Sequence, residues 1–357
     1  MDMDMQMVVR VLKTLTALLS APVYLVGGAV RDIVLGRKPK DLDFATSLAG
    51  REVAARLEAA GYPVNPKGLA FGVVGTQMNG IPVEVVTFRR DLDADGRKAR
   101  VVEGTLLDDL SRRDFTVNAM ALSPDGALVD PFGGLQDLRK GVIRAVGDPA
   151  QRFAEDYLRV VRAVRFAAQL GFAVEPKTWR AALSAGHRVL DHVSLPRLGE
   201  ELTKGLTSQD PVRFLHGLRE VGVLYRAFPE LVGPHGPAHQ LLQNPLHHPE
   251  GDVLTHLALV AREASELARQ EGADPLLAAW AGFLHDIGKP ATASPTGEGY
   301  FSFHRHEAVG ADMVAGIAAR FGFSNAWRDT LTAVTRLPMR PLQPPTPRVA
   351  IPFRGSI

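Results

Sequence analysis

The chain has 357 residues, 46% of them hydrophobic and 22% charged, with a formal net charge of +2. This composition excludes a disordered polypeptide and supplies apolar material for packed cores in two to four domains, at roughly 150 residues per domain. The absence of cysteine excludes disulfides and thiolate-bound zinc, and the near-neutral balance means that any nucleic-acid surface must come from local clustering of basic residues.

No apolar run approaches the ~18 residues of a membrane span. Met1 to Gln6 carries aspartates where a signal peptide carries lysines. Both features predict a cytoplasmic protein with no membrane partner. A first strand is predicted over 23–26, followed by Gly27-Gly28-Ala29-Val30-Arg31-Asp32 and a helix over 29–36. Paired glycines let backbone amides approach a phosphate, and a helix start adds positive potential. Asp41-Leu42-Asp43 follows in extended sequence, where a period of two points both carboxylates to one face, a pairing that suits Mg²⁺. After a helix predicted over 50–61 come strands over 71–76 and 82–88. The second of these holds one acid, Glu84, in an apolar run and can complete a carboxylate triad with Asp41 and Asp43. Two Mg²⁺ ions held this way can activate a 3′-hydroxyl and neutralise a leaving pyrophosphate, the logic of two-metal nucleotidyl transfer. Arg112 and Arg113 offer planar donor forks for triphosphate oxygens, while Asp114 and Asn118 can hydrogen-bond ribose hydroxyls. A strand over 127–130 closes this α/β part.

From about Asp148 helical spacing takes over, beginning with Phe153, Leu158, Val161, Val164, Arg165 and Ala168. Asp156 and Arg159 stand three apart on this predicted helix and so share a face that can meet one planar base edge. Cytosine and adenine present an exocyclic amine beside a ring-nitrogen acceptor, whereas uracil and guanine reverse that order. A carboxylate and a guanidinium side by side therefore accept C and A and reject U and G. Arg162, Arg165, Arg180, Arg188, Arg197 and Lys204 are candidate phosphate contacts for RNA. Breaks fall near 147–149, 208–211, 243–245 and 294–297, and the proline-rich tail from Pro338 is predicted to be extended or disordered.

A second constellation lies further on. His247-His248-Pro249-Glu250 leads to His256, and Phe283-Leu284-His285-Asp286-Ile287-Gly288-Lys289-Pro290 and His304-Arg305-His306-Glu307 follow. Imidazoles with a carboxylate suit a transition metal that activates water.

Taken together, these segments resemble the class II tRNA nucleotidyltransferases, the CCA-adding family, whose relatives include bacterial poly(A) polymerases. The likeness covers most of 23–205. It is carried by Gly27-Gly28-x-Val30-Arg31-Asp32 with Asp41-x-Asp43, by Arg112-Arg113-Asp114-x-x-x-Asn118-Ala119, by Asp130-Pro131-Phe132-Gly133-Gly134 and by Glu155-Asp156-x-x-Arg159 with Arg162 and Arg165. The resemblance implies an α+β fold: a nucleotidyltransferase head with a small mixed sheet over 1–147, a helical neck for base recognition over 148–205, a helical tRNA-binding body over 206–245, a helical HD domain over 246–337, and the tail 338–357. It implies addition of C and A to tRNA 3′ ends from CTP and ATP. Asp41 and Asp43 would bind Mg²⁺ with support from Glu84. Gly27, Gly28, Arg31, Arg112, Arg113, Asp114, Asn118, Glu155, Asp156, Arg159, Arg162 and Arg165 would hold the nucleotide, Asp156 and Arg159 acting as a protein template. The later segments resemble an HD phosphohydrolase domain, with His256, His285 and Asp286 as ligands of a second divalent metal. Where a further metal ligand is expected late in that domain, the chain reads Thr335-Arg336-Leu337-Pro338-Met339. The connection from Arg90 to Ser111 is short for the mobile loop that accompanies the family's switch from C to A. The alternatives are a poly(A) polymerase, a CC-only or A-only specialist, and an HD phosphohydrolase with a non-catalytic head.

Overall fold

A computed structural model describes residues 5–91 and 101–337. The predicted tail from Pro338 and the middle of the connection between Arg90 and Ser111 lie outside the described residues. The chain divides into two compact units, one made of the residues up to Glu201 with His216–Leu224, the other of Leu202–Leu215 with the residues from Tyr225 onward.

The first unit opens with α1 (Met5–Leu19), a helix absent from the elements predicted by sequence. Its Val8, Val11, Leu12, Leu15 and Leu19 recur at helical spacing and are all buried. Then come β1 (Val23–Val26), α2 (Gly28–Val34), β2 (Leu42–Thr46), α3 (Gly50–Ala59), β3 (Val64–Asn65), β4 (Val73–Met78) and β5 (Ile81–Thr87). A ribbon of β6 (Arg89–Asp91) and β7 (Val101–Glu103) precedes α4 (Leu106–Ser111), β8 (Ala121–Leu122), β9 (Leu128–Val129) and α5 (Gly134–Lys140). Seven strands form one sheet in the order β3-β4-β5-β2-β1-β8-β9. Only β2 and β5 pair in parallel within it; the other neighbours are antiparallel. The predicted mixed sheet is present, with β3 and β8 as additional short strands.

Alternation along β2 and β5 sorts the two faces. Leu42, Phe44, Val83 and Val85 are fully buried or nearly so on the face that α1 and α3 cover, each contributing about 1.5–3 kcal/mol of apolar burial. The opposite face divides along its length. At one end Ala45, Val26, Phe88, Leu110 and Ala121 form a second apolar cluster with Tyr24, Val86 and Leu106. The other end carries Asp43 and Glu84.

The helical run of this unit contains α6 (Pro149–Glu155), α7 (Leu158–Leu170), α8 (Pro176–Ala185), α9 (Val189–His192), α10 (Leu195–Leu206) and α11 (Pro211–Glu220), the last two extending into the second unit. It is not purely helical, because Ala173–Val174 pairs in parallel with Val142–Ile143. The expected continuous helix through Asp156 is two helices. Asp156 is extended (φ −154°, ψ 104°), and its Oδ1 accepts the amide of Leu158 at 3.1 Å. An aspartate free to cap the next helix competes with continuing the first, which is why the run breaks there.

The second unit holds α12 (Leu224–Ala227) from Tyr225 on, α13 (Val253–Gln270), α14 (Pro275–Leu284), α15 (Lys289–Thr292), α16 (His306–Phe321) and α17 (Asn325–Arg336). Its core is aromatic: Phe228, Trp280, Phe283, Phe321 and Phe323 stack or meet edge to face with centroids 4.8–6.2 Å apart. The Trp280 indole N–H donates to Thr203 Oγ1 at 2.9 Å, satisfying the one polar atom of this buried ring. A hairpin pairs Ala293–Pro295 with Phe301–Phe303 around the predicted break near 294–297. Among the described residues no helix is long and apolar enough to cross a membrane.

Candidate active site

The parallel register of β2 and β5 pairs Asp43 directly with Glu84. Directly opposed residues in a ladder point to the same face, and Asp41, in the bend just before β2, is near enough for its charge to act on Asp43. Asp41 and Glu84 are exposed and Asp43 is half-buried. Burial pushes the Asp43 carboxyl up, and the neighbouring charges of Glu84 and Asp41 push it further, against the opposing pull of Arg113. No hydrogen bond or ion pair engages these three carboxylates among the described residues. A divalent cation fits such a set, since it relieves a repulsion that nothing else in contact relieves. The three are not drawn as tight as the histidine clusters of the second unit. Among the described residues, only those clusters bring three donor atoms within 4.8 Å of one another.

Gly27 precedes α2 with φ 75° and ψ −137°, a conformation that essentially only glycine adopts. Its amide donates to Met120 O at 3.3 Å, and a Cβ there would lie 2.6 Å from Arg113 Nη1. Gly28 begins the helix, and the buried Arg31 donates to Asp32 Oδ1 and to Asn118 Oδ1 at 2.9 and 2.8 Å. Arg112 and Arg113 converge on the fully buried Asp109, at 2.6 and 3.1 Å. Asp109 is a residue that sequence reasoning missed. Its i+3 and i+4 spacing to the two arginines was the available signal.

Asp114 is buried and its oxygens are used inside the protein. It accepts from the Phe115 amide, from Asn118 Nδ2 and from Arg162 Nε, at 2.8, 3.1 and 2.7 Å. Burial opposes its charge, yet the Arg162 guanidinium and the Asn118 amide hold it below the usual carboxylate value. Arg162 and Arg165 both turn to the buried Glu201, another residue absent from the sequence-based set. Arg31, Arg162 and Arg165 also lie against the Phe166 ring, 3.9–5.4 Å from its centroid. Arg165 is thus a buried packing element rather than a surface for RNA phosphates, because its charge is spent on Glu201 and Gln169. Arg180, Arg188, Arg197 and Lys204 are exposed.

The base-reading pair is arranged differently from the helical face the spacing predicts. Asp156 stands at the break before α7 and its Oδ2 accepts from Arg197 at 2.9 Å. Arg159 donates to Glu155 Oε2, Arg152 O and Arg112 O at 2.6–2.9 Å. Glu155 therefore orients Arg159, and Asp156 is held separately.

In the second unit His256, His285 and Asp286 do come together. His256 Nε2 is 3.3 Å from both His285 Nε2 and Asp286 Oδ2, and His285 Nε2 is 3.0 Å from that same oxygen. His306 Nε2 approaches Asp286 Oδ1 at 3.0 Å, and Lys289 Nζ approaches Oδ2 at 2.6 Å. A Cβ on Gly288 would sit 2.2 Å from His306 O, so only glycine allows α16 close enough to deliver His306. His285 Nδ1 faces Gly282 O at 2.7 Å and His306 Nδ1 faces Phe303 O at 2.6 Å, leaving each neutral ring's lone pair on Nε2. Imidazole lone pairs converging on a carboxylate need a cation between them, which fits a divalent metal. Thr335, at the place of the expected late ligand, is buried with its hydroxyl against Leu284 O at 3.4 Å.

The sequence matches the Poly A polymerase head domain over residues 23–144, the HD domain over 253–350, and the probable RNA and SrmB-binding site of polymerase A over 171–232. A multifunctional CCA protein of Nitrosomonas europaea is 36% identical over 322 residues, 88% of this chain and 72% of that protein. A CCA-adding enzyme of Anoxybacillus flavithermus is 44% identical over 185 residues, but the match spans only 51% of this chain and 45% of that enzyme. A tRNA nucleotidyltransferase solved with a primer tRNA and an incoming ATP analog superimposes with a TM-score of 0.60 at 27% identity, covering 90% of this chain and 82% of that one. With its head fold, its helical HD region and a relative matched over most of both lengths, the chain belongs to the family of CCA-adding enzymes.

Proposed function

We propose that the protein adds C and A nucleotides to the 3′ end of tRNA from CTP and ATP, without a nucleic-acid template. The observation that carries this reading is the β2–β5 register, which sets Asp43 beside Glu84, with the Asp41 charge close by. Asp41, Asp43 and Glu84 would hold Mg²⁺, which when bound supplies neutralisation of the triphosphate and activation of a 3′-hydroxyl. The protein's own groups do the rest. Asp109 presents the Arg112 and Arg113 guanidiniums to the triphosphate. Asp114, Asn118 and Arg31 form one hydrogen-bonded line that fixes the sugar end of the site. Asp156 accepts from the amine of C or A, and Arg159, its plane set by Glu155, donates to the ring nitrogen.

The remaining assignments follow from this reading. Residues 1–147 act as catalytic head, 148–205 as base-reading neck, 206–245 as tRNA-binding body and 246–337 as HD domain. Exposed Arg180, Arg188, Arg197 and Lys204 contact tRNA phosphates, and a tRNA substrate places the work in the cytoplasm. The convergence of His256, His285, His306 and Asp286 favours a second activity, hydrolysis of phosphate esters at RNA ends, with those residues holding a divalent metal. For the main activity, Asp41→Ala with Asp43→Ala is expected to lower magnesium-dependent incorporation at least a hundredfold, the equivalent of roughly 3 kcal/mol. Normal incorporation by that double variant would overturn the site assignment.

A further inference from the structure

His256 belongs to two clusters whose donor atoms lie within 4.8 Å: one with His285 and Asp286, the other with His248 and Glu250. Its Nδ1 is 2.6 Å from Glu250 Oε1, and the same oxygen is 3.0 Å from His248 Nδ1. A neutral imidazole has one lone pair, so it can serve as ligand in only one of the two clusters. Glu250 decides which. An ionised carboxylate only accepts, so Nδ1 must carry the proton and Nε2 the lone pair, which then points at His285 and Asp286.

The three histidines differ in how that tautomer is set. His285 and His306 give Nδ1–H to backbone carbonyls of Gly282 and Phe303, which no substitution removes. For His256 the acceptor is a side chain. Asp252 caps α13 by accepting the Thr255 amide at 3.0 Å, which fixes His256 in the first turn, while Glu250 lies just before the cap. The segment from His248 to Asp252 therefore belongs to the same centre.

We infer that Glu250 is a positioning residue of the HD centre, locking His256 in the Nδ1–H form so that Nε2 faces the metal position, with His248 Nδ1 meeting the same carboxylate oxygen. This rests on reading that centre as a metal site. A carboxylate behind a ligating histidine also raises its basicity, and loss of such a partner typically costs 10–100-fold in metal affinity.

The test uses the full chain with Asp41→Asn and Asp43→Asn, so that the head does not compete for added metal, titrated calorimetrically with Ni²⁺ at pH 7.5. Glu250→Ala is expected to weaken Ni²⁺ binding by about 10–100-fold. Glu250→Gln, whose amide oxygen still accepts from Nδ1–H, is expected to retain more of the affinity. In metal-free protein, ¹⁵N shifts of His256 are expected to report Nδ1–H in the parent and a shift toward Nε2–H in Glu250→Ala. Equal Ni²⁺ affinity in parent and Glu250→Ala, or an Nε2–H parent, would overturn the inference while leaving the metal centre standing. A parent that binds no Ni²⁺ would remove the metal centre and the inference together. Should Glu250→Ala not fold, the parent tautomer and Glu250→Gln carry the test.

Discussion

Asp114 shows how one side chain can satisfy both packing and chemistry. It is buried, which disfavours its charge, yet Arg162, Asn118 and the Phe115 amide keep it ionised and below its ordinary value of 3.8. A folded-state value lowered in this way contributes stability that is complete above the unfolded value and is lost as pH falls through the folded one. Asp114→Asn is therefore expected to cost roughly 1–3 kcal/mol near neutrality, by the loss of a charge-assisted hydrogen bond, with the gap to the parent narrowing below about pH 3.8. Melting temperature against pH for both proteins measures this, and a gap that stays constant into acid would contradict it. At this scale the sequence was informative about residue type and less so about partners. The juxtaposition of Asp43 and Glu84 was legible because strand alternation and an acid in an apolar run are local signals. Glu201 was not singled out, because the arginines that give it importance reach it only in the folded chain, whereas the helical spacing of Asp109 to Arg112 and Arg113 was a local signal that went unused.

At the scale of elements, the strands and helices of the head were legible where periodicity was clean, as in β1, β5, α2 and α3. The short β3 and β8 were not, and α1 was not anticipated although its apolar spacing is regular. The break at Asp156 was missed for a physical reason: i,i+3 spacing suits one helix, but the aspartate caps the next one instead. The pairing of Asp156 with Arg197 follows from that break. Asp156→Ala is expected to relax the choice of C and A over U and G by about tenfold or more, read from incorporation of single nucleotides. Unchanged discrimination would remove the template role. The turn into α2 is equally specific. Gly27→Ala would hold a non-glycine residue in a conformation costing about 1–3 kcal/mol and displace the Arg113 guanidinium. Its melting temperature should fall, and kcat/KM for CTP should drop about tenfold or more. Parent-like values for both would show that the turn is not under this constraint.

For the whole molecule, the sequence indicated a mixed head followed by helices; the seven-stranded sheet and the helices after it are present, and the first compact unit takes in both the head and the helices up to Glu201. The unit boundary was not legible, because α10 and α11 each contribute to both units and no composition shift marks such a crossing. The HD centre was legible in part. His256, His285 and Asp286 came from motif spacing, whereas His306 reaches Asp286 only because Gly288 admits a close approach of α16. Both centres sit in one chain, and in the proposed function the head is the centre that defines the reaction. The most direct measurement of that claim is incorporation by the full chain on three tRNA transcripts, ending before CCA, after C and after CC, with each of the four NTPs and Mg²⁺. Completion of CCA on all three, using only CTP and ATP and then stopping, is the expected result. Continued adenylation of any RNA, or no incorporation on any transcript, would contradict it.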